Sequence, residues 1–369
     1  MKRFYLGTGA RFSKKERLRM RREQGSPESV AALESYLLDI YGGEQAVALM
    51  NGRSAITAAL KYGLGGSTKS SDKDEVIING FTCHAVVMGV RAAGMTPVYA
   101  DIDKANLNFN VDTLERVVTP QTRAVIVQNT LGNVTDIAKI EKFCKIHNLA
   151  LIEDLAHCAG RVYPDGREVG TVGDAVALSF GKEKSVDAVS GGAVVFRKST
   201  QMPRPTEAPD KLTVRRARWY PMFGAWCRAL TGVRLNGLLM RILLKTGLVI
   251  RSAEGEVNLK RQLSNFQAEV ALSQLKTRQK RAGKPLREFR LVHNREEVLS
   301  CLRRAGFYFD GFWYEKPVSP ERYYKSARFP EDDCPVAVEV AAKIINLPTY
   351  YTRKELAPAV KIIEEFVDE

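Results

Sequence analysis

The sequence predicts an α/β fold: a seven-stranded, mostly parallel sheet flanked by helices, followed by a smaller α+β domain. Two observations carry this. Short apolar runs rich in Val, Ile and Ala alternate with longer amphipathic stretches, the pattern of strand–helix–strand units. The runs are apolar at most positions, as in strands buried on both faces. Strands are expected near Ala46–Met50, Glu75–Asn79, Thr96–Ala100, Arg123–Gln128, Leu149–Glu153, Ala175–Ser179 and Gly192–Phe196.

The intervening helices follow from periodicity. The stretch 54–64 places Ile56, Ala59, Leu60 and Leu64 on one face, and 136–147 does the same with Ile137, Ile140 and Phe143. Between 201 and 255 the pattern breaks. Met202-Pro203-Arg204-Pro205 and Ala208-Pro209 read as a linker or loop, and a basic, aromatic and leucine-rich stretch follows. Helical periodicity returns after Leu263-Ser264-Asn265-Phe266-Gln267. Farther on, helices are expected at 295–304, 335–345 and 354–367, and a strand at 307–314. This divides the chain into a large domain (1–200), a basic apolar insertion (201–255), a connecting helical region (256–284) and a small C-terminal domain (285–369).

The chain has 369 residues, 45% hydrophobic and 27% charged, ordinary for a globular protein with a large core. Its six cysteines are scattered without a CxxC pair. That disfavours a zinc knuckle or a disulfide framework and suits a reducing cytoplasm. Four histidines, none at ligand spacing, predict no metal site. The basic N-terminus is not followed by an apolar run, so it does not read as a signal peptide. No Walker motif is present and no GxGxxG follows a strand, which disfavours nucleoside-triphosphate and dinucleotide sites.

The net charge of +14 asks for an anionic partner: a phosphorylated substrate, a membrane surface or nucleic acid. Arg11 to Arg22 forms one basic cluster. Lys211 to Arg251 carries nine Lys and Arg and no acid, with Trp219, Trp226 and a run of leucines reaching to Ile250. Arg241 and Lys245 interrupt that run, so it does not span a bilayer. Its mixture suits a helix lying peripherally on the anionic inner membrane surface, and equally a lid or a dimer-packing element. No motif that reads bases accompanies the charge, so nucleic acid is disfavoured.

Ligands of parallel sheets sit beyond the carboxyl ends of the strands, where two segments stand out. Ile152-Glu153-Asp154-Leu155-Ala156-His157 ends one apolar run in an acid. Ser179-Phe180-Gly181-Lys182-Glu183-Lys184 ends another in a hydroxyl and two amines. An acid, a lysine and phosphate donors are what a protein needs to hold pyridoxal 5'-phosphate, whose ring withdraws electrons from a carbanion. Asp154 suits the ring nitrogen, or a helix N-cap. Glu153 points to the other side of its strand. His157 suits the ring hydroxyl, or a structural role. Lys184 and Lys182 both suit covalent attachment, which requires the neutral amine, and spacing alone does not separate them. Asn51-Gly52-Arg53-Ser54-Ala55, between a strand and a helix, offers amides and a hydroxyl to a phosphate, with Ser179 adding a second hydroxyl. In Phe81-Thr82-Cys83-His84 a planar side chain could cover the ring. His84 is the expected one, with Cys83 and Phe81 as alternatives.

Taken together, these segments resemble the DegT/DnrJ/EryC1/StrS aminotransferases, sugar aminotransferases of fold type I among pyridoxal-phosphate enzymes. The resemblance runs from about Ser35 to Ser199 and again from about Asn258 to the end. Asp154-Leu155-Ala156-His157 is similar to the family's aspartate motif. Ser179-Phe180, with Lys184 five residues after the serine, is similar to its serine–lysine motif, and that register selects Lys184 over Lys182. Asp101-Ile102-Asp103, Leu263 to Ala268 and Ile345-Asn346-Leu347-Pro348 also match. The resemblance implies a homodimer with shared active sites that moves an amino group, from glutamate, to a keto-sugar nucleotide in cell-envelope or glycan biosynthesis. It also implies that the segment before Leu263 reaches the neighbouring subunit's phosphate, where Lys260 or Arg261 could serve.

The departures are specific. His157 stands where relatives usually have Gln, Lys182 and Glu183 where they have a proline and a small residue, Cys83 and His84 where an aromatic often stacks, and Lys260 and Arg261 where an Asn and an aromatic are frequent. Two other readings use the same fold. A sugar dehydratase or lyase is one, although relatives that dehydrate sugars replace the lysine with histidine. A catalytically silent membrane-surface or scaffolding protein is the other.

Overall fold

The computed structural model of the protein describes residues 4–6, 12–64, 74–198, 201–233, 235–249, 255–278, 283–309 and 313–367. Arg11, Ile250 and Arg251, named above, lie outside them. So do residues 310–312 of the strand expected at 307–314, of which Phe307–Phe309 is extended.

The first elements are α1 (Lys14–Arg22), α2 (Ser29–Tyr41), β1 (Gln45–Leu49), α3 (Gly52–Tyr62), β2 (Glu75–Asn79), α4 (His84–Ala92), β3 (Thr96–Ala100) and β4 (Thr122–Val127). They are followed by α5 (Ile137–Ile146), β5 (Ala150–Asp154), β6 (Ala175–Ser179) and β7 (Gly192–Phe196). The seven strands form one sheet in the order β1-β7-β6-β5-β4-β2-β3. Only β7 runs against the rest, pairing antiparallel with both β1 and β6. The apolar runs become strands because both sheet faces are covered. On one face Val125, Leu151 and Val176 pack against Leu33 and Leu37 of α2 and Ile140 and Phe143 of α5. On the other, Val76, Ile126 and Val194 meet Ala55 and Ala59 of α3 and Val87 of α4.

The insertion folds as two helices, α6 (Lys211–Leu230) and α7 (Asn236–Lys245). Its buried face, including Ala217, Tyr220, Phe223, Cys227 and Leu243, forms a separate core with Phe12, Met20 and Phe266. The outer face is another matter: Trp226, Leu235, Leu238, Ile242 and Leu248 are exposed. No helix among the described residues is long and apolar enough to cross a membrane. The helix α8 (Asn265–Arg278) then packs beside α2 in the first core.

The last part contains β8 (Arg287–Leu291), α9 (Arg295–Arg304), α10 (Pro335–Lys343), β9 (Ile344–Pro348) and α11 (Arg353–Glu364). The helix expected at 335–345 ends at Lys343, and the following residues pair antiparallel with β8, Ile344 opposite Leu291 and Pro348 opposite Arg287. Two adjacent β-branched isoleucines ending in a proline fit a strand better than a helix end. The sheet and α10 are joined at Asp101, just beyond β3. Its carboxylate accepts from the amides of Val336 and Ala337 at 3.0 and 2.9 Å.

Candidate active site

The carboxyl ends of β5 and β6 and the start of α3 surround a cavity of about 230 Å³. Gly52, Arg53, Asp154, His157, Ser179, Lys182 and Lys184 all line it. The site depends on a close approach between α3 and β6. A Cβ on Gly52 would lie 2.6 Å from Ser179 Cβ and 2.8 Å from Ser179 Oγ, so any side chain there would push helix and strand apart. Asn51 caps α3, its Oδ1 accepting from the Ser54 amide at 2.9 Å. A glycine-led helix start beside a serine hydroxyl is a cradle suited to a phosphate.

Asp154 is buried at the end of β5. Its Oδ1 accepts the Ala156 amide at 2.9 Å. Burial pushes its carboxyl up to about 6, against the opposing effects of that hydrogen bond and the nearby charge of Lys184. A carboxylate held out of water this way fits a cationic ring nitrogen, which would favour its ionised form. Glu153, its neighbour, faces the other side of the strand. There it accepts from the Tyr163 hydroxyl at 2.8 Å and the amides of Gly170 and Val172 at 2.7 and 2.8 Å.

His157 and Lys184 meet in the cavity. The Leu131 amide donates to His157 Nδ1 at 3.2 Å. Burial, reinforced by Lys184 and Arg287, holds the His157 pKa well below its ordinary value and the ring neutral. With Nδ1 accepting, the neutral ring carries its proton on Nε2; this tautomer is assigned from the hydrogen bond. Nε2 lies 3.0 Å from Lys184 Nζ. Trp313 closes this side, its ring centroid 5.1 Å from that of His157 and 4.6 Å from Lys184 Nζ. Lys182, which also lines the cavity, lies over the ring of Tyr220 on α6 at 4.3 Å.

Several interactions at the site were not foreseen from the sequence. Glu183 pairs with Arg287 of β8 at 2.9 Å, with side chains only 13% and 5% exposed. Arg287 also donates to Asn346 Oδ1 at 2.9 Å, and the Asn346 amide donates to the Trp313 carbonyl at 2.9 Å. This chain ties the loop carrying Lys184 to the C-terminal strands. The departure at Glu183 was the one local signal for it. The backbone is strained here too. Leu131, Glu183, Val189 and Tyr314 all have positive φ, a costly geometry for side-chain-bearing residues that concentrates at functional sites.

Two expected positions need correction. His84 does not line the cavity. Its ring stacks on Tyr323 at 4.7 Å and meets Ser326 Oγ at 3.3 Å, because the start of α4 is covered by the C-terminal region. Cys83 lines the cavity instead. Ser54 is fully buried. Its amide is taken by Asn51 and its hydroxyl accepts the Asn258 amide at 3.1 Å, so it braces α3 against the segment after the insertion. Lys260 and Arg261, expected at the neighbouring subunit's phosphate, do not line the cavity of their own chain. Arg261 pairs with Glu207 and Glu256 of its own chain at 3.6 and 3.4 Å. Among the described residues, no group of three or more His, Cys, Asp or Glu could hold a metal ion.

The insertion contributes directly. Thr213, Arg216, Ala217 and Tyr220, spaced along one face of α6, line the cavity with Leu248 and Val249.

Residues 21–207 match the model of the DegT/DnrJ/EryC1/StrS aminotransferase family. The chain is 32% identical to GDP-perosamine synthase of Caulobacter vibrioides over 166 residues, 45% of this chain and 43% of that protein. It is 34% identical to the spore coat polysaccharide biosynthesis protein SpsC of Bacillus subtilis over 164 residues, 44% and 40% of the two chains. The chain thus spans less than half the length of these curated relatives. Its fold is similar to that of Helicobacter pylori PseC, an aminotransferase involved in the biosynthesis of pseudoaminic acid. That likeness has a TM-score of 0.67 and 20% identity and covers 99% of this chain and 100% of the other.

The buried acid makes a pH test possible without cofactor. Its carboxyl rises from 3.8 to about 6 on folding, so the folded chain prefers the protonated acid. Stability from this group is complete below pH 4 and is lost as pH rises through 6. Asp154→Asn removes that loss. The cofactor-free variant should therefore exceed wild type above pH 6 by on the order of 3 kcal/mol, with the difference fading towards pH 4. Urea unfolding of both chains at pH 4 and pH 7.5 measures it, and equal differences at the two pH values would contradict the assignment.

Proposed function

Because the chain belongs to the DegT/DnrJ/EryC1/StrS aminotransferase family, we propose that it is a pyridoxal-phosphate-dependent aminotransferase. In this reading it moves an amino group, from glutamate, to a keto-sugar nucleotide used in glycan assembly. The observation that carries the proposal is the Lys184–His157–Asp154 constellation at the carboxyl edge of the sheet, beside the Gly52–Ser179 cradle. When bound, pyridoxal phosphate supplies an electron sink for a carbanion.

The chain's own residues would do the following. Lys184 Nζ holds the cofactor covalently and then carries a proton between two carbons. His157 Nε2 orients that amine. The Asp154 carboxylate keeps a ring nitrogen protonated. Gly52, Arg53 and Ser179 receive the phosphate, and Trp313 and Tyr220 limit access of water. Family register and the 3.0 Å contact with His157 both support Lys184 over Lys182. Borohydride reduction followed by peptide mapping should place the pyridoxyl mass on Lys184, and a label on Lys182 would reverse the assignment. A protein that takes up no cofactor at all would favour the silent-scaffold reading.

Two further parts belong to the same proposal. One is a homodimer with shared sites, in which Lys260 or Arg261 reaches the partner's phosphate. Mixing Lys184→Ala chains with Lys260→Ala/Arg261→Ala chains should then restore activity. No recovery after verified subunit exchange would count against it. The other is peripheral contact of a cytoplasmic enzyme with an anionic membrane through 211–251. It is supported by the exposed Trp226, Leu235, Leu238 and Ile242 beside basic residues. Full-length protein should co-sediment with phosphatidylglycerol vesicles at low salt and be released at 1 M salt, where the Debye length falls to about 3 Å. Protein that ignores these vesicles at low salt overturns this part alone.

A further inference from the structure

The cavity carries an imbalance of charge. Arg53, Lys182, Lys184 and Arg216 line it, against the single carboxylate of Asp154. Cations gathered around a confined space with one acid require anions from elsewhere. Arg53 donates to the Gly255 carbonyl, Lys182 lies over Tyr220 and Lys184 contacts His157. Arg216 stands apart. Its Nε is buried without a hydrogen-bond partner, and it forms no ion pair with any described residue.

Its place on the helix faces the site. Arg216 sits on the inner face of α6, one helical turn from Thr213 and from Tyr220, both of which line the cavity. The guanidinium packs under the 247–249 turn, where a Cβ on Gly247 would come within 3.1 Å of Nη2. Gly247 has φ +66, a conformation few other residues adopt, and this keeps the turn open above the arginine. A guanidinium lining a cavity matches the oxygens of a phosphate with paired donors.

We propose that Arg216 is a phosphate-binding residue of this site, supplied by the insertion of the same chain. The inference rests on the aminotransferase reading, which offers two sources of that chemistry: the phosphate of the cofactor and the diphosphate of a nucleotide-linked sugar. It gives the insertion a place in ligand recognition that is independent of any membrane contact.

The test uses the full-length chain as wild type, Arg216→Gln and Arg216→Lys. Pyridoxal 5'-phosphate and pyridoxal are each titrated into cofactor-free protein, and uridine diphosphate is titrated into cofactor-loaded protein. If Arg216 holds the cofactor's phosphate, Arg216→Gln weakens pyridoxal phosphate by about 10- to 100-fold, the loss of a hydrogen bond to a charged group, and leaves pyridoxal unchanged. If it holds the sugar nucleotide, uridine diphosphate weakens by the same factor and pyridoxal phosphate does not. In either case Arg216→Lys, which keeps the charge, recovers part of the affinity. Unchanged binding of both phosphate ligands, or equal weakening of pyridoxal and pyridoxal phosphate, overturns the proposal. Should Arg216→Gln fail to fold, the lysine variant carries the same comparison, since one donor direction is still lost. Failure of wild type to bind pyridoxal phosphate sinks the aminotransferase reading instead. The uridine diphosphate arm, run then on the unloaded chain, still decides for or against Arg216.

Discussion

A carboxylate kept out of water at the end of a central strand is the constraint around which this site is arranged. Asp154 can be buried only because β5 lies inside the sheet, between β4 and β6, with both faces covered. That burial costs free energy unless a positive group answers it. The neighbouring Glu153 shows the other solution, a carboxylate satisfied by a hydroxyl and several amides. Consecutive residues on one strand thus hold one acid that is fully occupied and one left facing a cavity. The first anchors the loop that follows β5, and the second is available for chemistry.

Much of this was legible in the sequence. All seven strands of the main sheet were readable, because strands of a sheet covered on both faces are apolar at most positions. Asp154, Ser179 and Gly52 were readable because strand ends are where such sheets bind ligands, and each lines the cavity. The C-terminal strand Ile344–Pro348 was not. A short apolar run that continues a helical pattern looks like the helix itself until its partner, Arg287–Leu291, is known. His84 failed for a related reason. Its neighbour Tyr323 lies far along the chain, and no local pattern says which way a side chain at a helix start will turn. Arg287 and Trp313 were missed, and Asn346 stood out only as part of a matching motif, because their bearing on Lys184 arises only when the C-terminal region folds back over the strand ends.

The insertion changes character once its two faces are separated. Read as composition it is a basic, leucine-rich stretch. Folded, α6 commits one face to a small core and to the cavity wall, while the exposed leucines gather mainly on and around α7. The two functions weighed for it, closing a site and meeting a surface, therefore belong to different parts of the same segment.

The ion pair between Glu183 and Arg287 has an evolutionary corollary. Its partners lie far apart in the chain, one beside Lys184 and one on a C-terminal strand, and both are nearly inaccessible to water. Losing either one alone strands a buried charge, a change costing about 3 to 5 kcal/mol. Descendants could abandon the pair only by replacing both members together or by passing through a crippled intermediate. The two positions should therefore co-vary across the lineage carrying this acid, and grafting the C-terminal region of a relative that lacks Glu183 would give a chimera that folds poorly although each half is sound.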